Sequence, residues 1–194
     1  DPEAGQIELD GIDLRNLSID ELRRNIAVLF QEPVHYNATV VENIALGDLR
    51  YKEDMTEIQA AAQFAGADSV ISKLPKGYQN FLGSWFEEGS QISVGEWQRI
   101  SLARAFLRKA PIMVLDEPTS AMDPWAEAEW MKRFRILQQG RTAILITHRF
   151  TTAMFADVIH VMQDGHVVES GTHAELLGQR GYYARGWHTQ ANKD

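Results

Sequence analysis

Two adjacent carboxylates, Asp116 and Glu117, follow the apolar run IMVL at residues 112–115. Acids at the edge of a core need a partner, because an unpaired carboxylate loses its hydration at high cost. Asp116 offers the hard oxygen that Mg²⁺ prefers. Glu117 has the chemistry of a base that orients or deprotonates an attacking water. In an alternative interpretation both acids are structural and cap the bend at 118–120.

Two further apolar runs also end in polar residues. IAVLF (26–30) is followed by Gln31, and AILIT (143–147) is followed by His148. We predict a buried strand for each run, and ligands of an open parallel sheet bind beyond the carboxyl ends of its strands. An amide, two acids and an imidazole at three such ends predict a ligand site.

The tetrapeptide Ser93-Val94-Gly95-Glu96 opens a run with helical spacing that continues to Leu107. A helix that begins with small residues exposes unpaired N–H groups and its positive dipole end, which together favour an anion. The alternative is plain capping, since S-x-x-E is a capping box. Ser93 can serve both roles, accepting from the helix backbone and donating to a phosphate.

The elements that position these residues alternate between strands and helices. Segment 37–89 has helical spacing broken by Gly, Pro and Asp, and Asp123-Pro124 is a typical helix start. Hairpins are predicted at 7–14 and 158–170, with turns at Asp10-Gly11 and Asp164-Gly165. The fold class is therefore α/β with a largely parallel sheet and an inserted helical subdomain.

Composition limits the classes of function. The chain has 194 residues, a net charge of -8 and no cysteine. The negative charge argues against a nucleic-acid partner, and the lack of cysteine excludes disulfides and thiolate metal sites. No apolar run approaches the roughly 20 residues of a membrane span. Any membrane association is therefore expected to come through a partner.

The motifs together resemble those of ATP-binding cassette (ABC) ATPases. ISVGEWQRISLARAFLRKAPIMVLDEPTSAMD (92–123) is similar to the signature motif, Walker B strand and D-loop, LFQEP (29–33) to the Q-loop, and ITHR (146–149) to the H-loop. VMQDGHVVESGTHAELL (161–177) resembles the family's C-terminal hairpin and helix, and the segment 30–47 resembles the exporter branch. The resemblance covers essentially the whole chain. It implies one P-loop NTPase-like domain, with a RecA-like core at 1–36 and 100–194 and a helical subdomain at 37–99.

The resemblance also implies roles for the polar strand ends. Asp116 would hold Mg²⁺, directly or through water, and Glu117 would polarise the attacking water. His148 would contact the γ-phosphate of ATP and stabilise developing charge. Gln31 would sense the γ-phosphate, Mg²⁺ or the attacking water and couple them to a transmembrane partner.

A second set of residues would face a partner domain. Ser93 and Gly95 would bind the γ-phosphate of an ATP held mainly by the opposing subunit, and Ser120 and Asp123 would cross the same interface. The implied assembly is a head-to-tail pair of nucleotide-binding domains, joined through the Q-loop and helical subdomain to a transmembrane domain. The implied location is the cytoplasmic face of a membrane, and the implied function is ATP-powered export. A non-transport ABC ATPase and a catalytically silent interaction module are the alternatives.

The sequence departs from the family pattern in two ways. The signature reads ISVGE where LSGGQ is common, so that Val94 and Glu96 replace a glycine and a glutamine. None of the 14 glycines is followed by lysine, as the phosphate loop GxxxxGK[ST] requires. We therefore expect a domain that lacks its Walker A segment, exposes apolar surface and is inactive alone. For the aromatic residues Tyr36, Trp85 and Phe86 ordinary packing is the favoured interpretation.

Overall fold

The computed structural model describes residues 2–85, 87–138 and 140–191. The strands in these ranges are β1 (Glu8–Leu9), β2 (Ile12–Asp13), β3 (Ile26–Leu29), β4 (Ile112–Asp116), β5 (Thr142–Ile146), β6 (Ile159–Gln163) and β7 (His166–Gly171). The α-helices are α1 (Ile19–Asn25), α2 (Val40–Ala45), α3 (Met55–Ala65), α4 (Asp68–Ile71), α5 (Val94–Leu107), α6 (Pro124–Leu137), α7 (Phe150–Ala153), α8 (His173–Gln179) and α9 (Tyr182–Ala191). Short 3₁₀ turns lie at Leu14–Asn16, Leu49–Tyr51 and Gly77–Gln79.

The central sheet is parallel and has the order β3-β4-β5. Leu29, Leu115 and Leu145 are register partners on the face that packs into the core. Since three parallel strands end at one edge, the residues after β3, β4 and β5 come to the same side of the sheet. The predicted α/β fold class with a parallel sheet is confirmed.

The other face of the sheet is open in the described part of the chain. Val28, Ile144 and Ile146 on this face are each about half exposed. The prediction of buried strands at 26–30 and 143–147 is therefore wrong for one of the two faces of β3 and β5, because side chains alternate along a strand and no described element covers this side. Phe30, just beyond β3, is also exposed.

Helix α5 runs through the middle of the core. Its predicted stripe Ile100, Ala103 and Leu107 is fully buried, and the helix packs against α2, α3 and β3. The boundary predicted between residues 99 and 100 falls inside this continuous helix. One apolar cluster includes residues from both sides of that boundary, and the division into core and subdomain stays a prediction.

Local signals set the ends of several elements. Capping boxes are formed by Ser18 with Glu21 and by Ser93 with Glu96, as their spacing predicts. Helix α6 begins at Pro124 behind its N-cap Asp123. The packed stripe predicted on α6 holds for Trp130 and Phe134, whereas the Leu137 side chain lies outside the described part.

Both predicted hairpins are present. Strands β1 and β2 pair across Asp10-Gly11, and β6 and β7 pair across Asp164-Gly165. The four turn residues all have positive φ, between 49° and 78°, which a two-residue turn of this hand requires. None of the helices in the described ranges combines the length and apolarity that crossing a bilayer requires.

The aromatic prediction has a mixed outcome. Tyr36 is partly exposed and lies under the Arg104 guanidinium, 4.9 Å from the ring centroid. Trp85 is 82% exposed, so ordinary packing is the wrong interpretation for this side chain. Phe86 lies outside the described residues.

Candidate functional site

Asp116 is the last residue of β4 and lies at the carboxyl edge of the sheet. Its side chain is half-buried, and within the described part of the chain its carboxylate has no hydrogen-bond or ion-pair partner. A carboxylate this close to the core is expected to have a ligand or a partner. The two oxygens of Asp116 are thus available to a cation.

Glu117 has the left-handed backbone conformation, with φ of 47°. This conformation is uncommon for residues other than glycine, asparagine and aspartate, and such strain is concentrated at functional sites. Glu117 N donates to Ile146 O at 2.9 Å, which continues the β4–β5 ladder by one residue. After this turn the side chain of Glu117 extends toward the end of β5, and the residue as a whole is only 7% exposed.

The Glu117 carboxylate is held by the residues after β5. Its Oε1 accepts from the His148 backbone N at 2.8 Å and lies 2.7 Å from His148 Nδ1. Its Oε2 accepts from the Thr147 hydroxyl at 3.3 Å. The alternative in which this acid caps the bend at 118–120 is wrong, because the carboxylate binds across the sheet.

His148 connects the buried carboxylate to solvent. Its side chain is 73% exposed although Nδ1 is paired with Glu117. When Nδ1 donates to the carboxylate, Nε2 faces away with a lone pair in the neutral ring and an N–H in the charged ring. The charged ring would then offer a donor to an anion at the carboxyl edge of the sheet.

At the start of α5, the Ser93 hydroxyl is fully engaged by capping. It accepts from Glu96 N at 3.3 Å and donates to Glu96 Oε2 at 2.9 Å, and Ser93 N donates to the same oxygen. The pKa of Glu96 is lowered, first by the backbone N–H of Ser93. The predicted dual use of Ser93 therefore requires its hydroxyl to leave Glu96 before it can donate to a phosphate.

Close packing gives Gly95 a second reason to be glycine. A Cβ at this position would lie 2.8 Å from the backbone oxygen of Ala121. Val94, which replaces a glycine of the common family signature, is 71% exposed. The N-terminus of α5 therefore rests directly on the loop 118–123.

Gln98 is a site residue that sequence reasoning missed. It is buried, and its Nε2 donates to Glu117 O at 2.9 Å and to Ser120 Oγ at 3.1 Å. Its Oε1 accepts from Ala121 N at 3.2 Å. The signal that was available is helical spacing, because Gln98 precedes the apolar residues Leu102 and Ala105 by four and seven positions and so shares their face of the helix.

In the described part of the chain, neither Asp123 nor Gln31 is hydrogen-bonded to the carboxylates of Asp116 and Glu117. Asp123 caps α6 by accepting from Trp125 N and Ala126 N, and the bond from Ala126 is the main cause of its lowered pKa. Gln31 lies beyond β3 on the same sheet edge and is exposed, without a hydrogen bond in the described ranges. The structure thus joins Glu117 to His148, and Glu117 to Ser120 through Gln98.

The donor set fits a Mg²⁺–nucleotide complex better than a dedicated protein metal cage. Residues 2–85, 87–138 and 140–191 contain no group of three or more metal-ligating side chains. Mg²⁺ is commonly held by one or two carboxylates together with substrate phosphates and water. The unpartnered carboxylate of Asp116 satisfies that requirement.

Comparison with known proteins decides the family. A family model described as "ABC transporter" matches residues 1–120 of the chain. This chain belongs to the ABC transporter family. A structure described as that of a bacterial Atm1-family ABC exporter with ATP bound superposes with a TM-score of 0.89 and 36% identity, covering 98% of this ABC chain and 33% of that chain.

Two curated relatives agree with this assignment. ABC transporter B family member 24, mitochondrial, of Arabidopsis thaliana is 44% identical over 100% of this chain and 28% of its own length. An ATP-dependent lipid A-core flippase of Psychrobacter arcticus is 43% identical over 94% of this chain and 30% of its own length. This ABC transporter chain therefore spans about a third or less of the relatives it matches.

Proposed function

We propose that this chain is the nucleotide-binding domain of an ABC exporter and that it contributes to ATP hydrolysis that powers transport. One observation carries the proposal. The end of β4 presents a half-buried, unpartnered Asp116 next to a buried Glu117 that is fixed by His148. This arrangement suits one cation ligand, one base and one charge-stabilising group at a single sheet edge.

Four side chains would carry the chemistry. Asp116 would hold Mg²⁺, with Gln31 as a second oxygen ligand from the neighbouring strand end. Bound Mg²⁺ would neutralise charge on the phosphates of ATP. Glu117 would accept a proton from the attacking water, and its burial at 7% exposure favours a base shielded from bulk solvent. His148 would donate from Nε2 to the developing charge.

In the present arrangement His148 and Thr147 occupy the carboxylate oxygens of Glu117. Water activation therefore requires the side-chain bond from His148 Nδ1 to lengthen and open one lone pair of Oε1. The backbone bond from His148 N can persist and keep the carboxylate in position. The Glu117–His148 pair supports a ground state in which His148 holds the Glu117 carboxylate in place until ATP binds.

A second nucleotide-binding domain is the proposed partner on the α5 side. Ser93 and Gly95 at the N-terminus of α5, and Ser120 and Asp123 in the loop, would face an ATP shared with that domain. Contacts of Gln98 and Gly95 with the loop support a single surface rather than two independent ones. A transmembrane domain would contact the Q-loop residue Gln31 and the helical segment 37–99. This contact would put the nucleotide-binding domain at the cytoplasmic face of a membrane.

The 194 residues alone are proposed not to turn over ATP, since they contain no Gly-Lys pair of a phosphate loop. A catalytically silent module that offers its signature helix to a complete partner is the second candidate, and the same observation favours it. Mixing this chain with an intact cassette and measuring ATPase activity separates the two. Stimulation supports the module, and no effect supports a domain that works only within its own protein.

The Mg²⁺ role of Asp116 can be tested in the intact natural protein that contains these residues. We expect Asp116→Asn to raise the Mg²⁺ concentration for half-maximal ATPase activity by at least about tenfold, because a ligand charge is lost. Asp157→Asn is the matched control, since Asp157 is exposed and lies between α7 and β6, outside the strand ends that carry Asp116 and His148. An unchanged Mg²⁺ requirement in Asp116→Asn would refute the assignment.

A further inference from the structure

An ion pair between a partly exposed arginine and a buried glutamate lies beside the end of β5 and is not used by the hydrolytic roles above. Arg149 follows His148 directly, and its Nη1 donates to Glu127 Oε2 at 2.5 Å. Glu127 is in the first turn of α6 and is 6% exposed. The pair therefore joins the segment after β5 to the helix that follows the loop 118–123.

The same nitrogen of Arg149 also reaches the loop itself. It lies 3.2 Å from Thr119 O and 3.4 Å from Met122 O, and it donates toward both. These two carbonyls bracket Ser120 and the residue after it. Because a guanidinium is rigid and planar, its position sets the distance between this loop and the strand end that carries His148.

The second carboxylate oxygen of Glu127 accepts hydrogen bonds from hydroxyl groups of the loop 118–123 and of α7. Oε1 accepts from Thr119 at 3.4 Å, from Thr151 at 3.3 Å and from Thr152. Thr119 lies in the loop, whereas Thr151 and Thr152 belong to α7, just after His148. Thr119 and Thr152 are completely buried. One carboxylate thus ties the loop, α6 and α7 together.

The opposite side of the loop is held by Gln98, which binds Glu117 O, Ser120 Oγ and Ala121 N. The loop therefore lies between two polar attachments. One comes from the helix that begins at Ser93, and the other comes from the segment that contains His148.

Stability alone does not account for this ion pair. The Glu127 carboxylate loses its hydration on burial, and a pairing partner repays that cost only in part, so the net contribution of such a pair to stability is small. A role in fixing geometry is the better explanation where the pair spans segments that carry reacting groups. We infer that Arg149 and Glu127 are positioning residues that hold the loop 118–123 in register with His148 and Glu117, an inference that rests on the proposed ATPase function.

The test uses the intact natural protein and two readouts. We expect Arg149→Met and Glu127→Gln to lower kcat for ATP by about a hundredfold, since a displacement near 1 Å has that effect on a reacting group. KM for ATP should stay within about threefold, because the pair is not placed against nucleotide. Arg149→Lys keeps the charge but loses the planar fork and should restore part of kcat.

Amide hydrogen exchange supplies the second readout. Exchange should accelerate in 118–123 and 147–152 of the variants and stay unchanged in β4 and α5. The surface pair Arg133–Glu129 on the same helix, also at 2.5 Å, is the matched control. Arg133→Met and Glu129→Gln should alter neither kcat nor loop exchange.

The outcomes separate this inference from the proposed function. If the wild-type protein does not hydrolyse ATP, the proposed function fails, and local exchange still tests the positioning role. Loop exchange that is unchanged, or exchange that rises equally across the whole core, would overturn the inference. So would a kcat that is unaffected per folded molecule. If Arg149→Met does not fold, Arg149→Lys and Glu127→Gln carry the same comparison.

Discussion

Gly95 offers a test of how closely α5 rests on the loop 118–123. Sequence reasoning assigns this glycine to phosphate approach, whereas the structure gives it a packing role as well. A Cβ added at Gly95 would lie 2.8 Å from Ala121 O, a backbone atom that cannot rotate away. Gly178 in α8 is the matched control, since a Cβ there meets nothing within 4 Å.

The expected effects have opposite signs. Ala is favoured over Gly within a helix by about 0.5–1 kcal/mol, so Gly178→Ala should be stabilising by that amount. Gly95→Ala gains the same helix preference but must displace the loop, and overpacking of this kind costs about 1–3 kcal/mol. The net effect expected at Gly95 is a loss of up to about 2.5 kcal/mol of unfolding free energy.

Urea unfolding of the two variants in the same protein measures this difference. The midpoint should fall for Gly95→Ala and rise slightly for Gly178→Ala, with an unchanged slope. If both variants are equally stabilised, the loop does not press on α5 and the packing role of Gly95 is wrong.

Three further predictions concern the site and the core. Gln98→Leu should cost about 1–3 kcal/mol in urea unfolding, because it leaves the Ala121 N–H without its partner, while the Glu117 carbonyl keeps only its bond from Ser120 N. The Glu96 pKa is lowered mainly by the Ser93 backbone N–H. Ionised Glu96 therefore contributes fully to the free energy of unfolding above its pKa of about 4.3 in the unfolded chain. This contribution is lost as the pH falls through the lower pKa that Glu96 has in the folded protein. The stability advantage of wild type over Glu96→Gln should accordingly be constant above about pH 5 and shrink as the pH falls below about 4.3. Met131→Ala should lower unfolding free energy by about 2–5 kcal/mol, since Met131 is buried.

Much of the local structure could be predicted because its causes lie within a few residues. Asp164-Gly165 fixes a two-residue turn by its positive φ, and Ser93 with Glu96 closes a capping box inside one helical turn. The strand ends at Asp116 and His148 follow from apolar runs that become polar. Parallel order then brings them to one edge.

The contacts that could not be predicted join residues that lie far apart in the sequence. Glu117 binds His148 across 31 residues, and Gln98 reaches Ser120 across 22. The Arg149–Glu127 pair depends on how α6 packs against the segment that follows β5. No periodicity in the sequence encodes such pairings, because they arise only when distant elements pack. The open face of β5 was missed for the same reason, since an apolar run does not reveal whether both faces are covered.

The central claim is that Glu117 is the base of an ATP-hydrolysing site, and Glu117→Gln in the intact natural protein tests it most directly. We expect ATP hydrolysis to fall by about 10²–10⁴-fold, because the amide cannot accept the proton of the attacking water. ATP binding, measured by equilibrium titration, should be retained. Glu53→Gln, a change at an exposed acid, is the control. Hydrolysis that persists in Glu117→Gln at the wild-type rate would contradict the account.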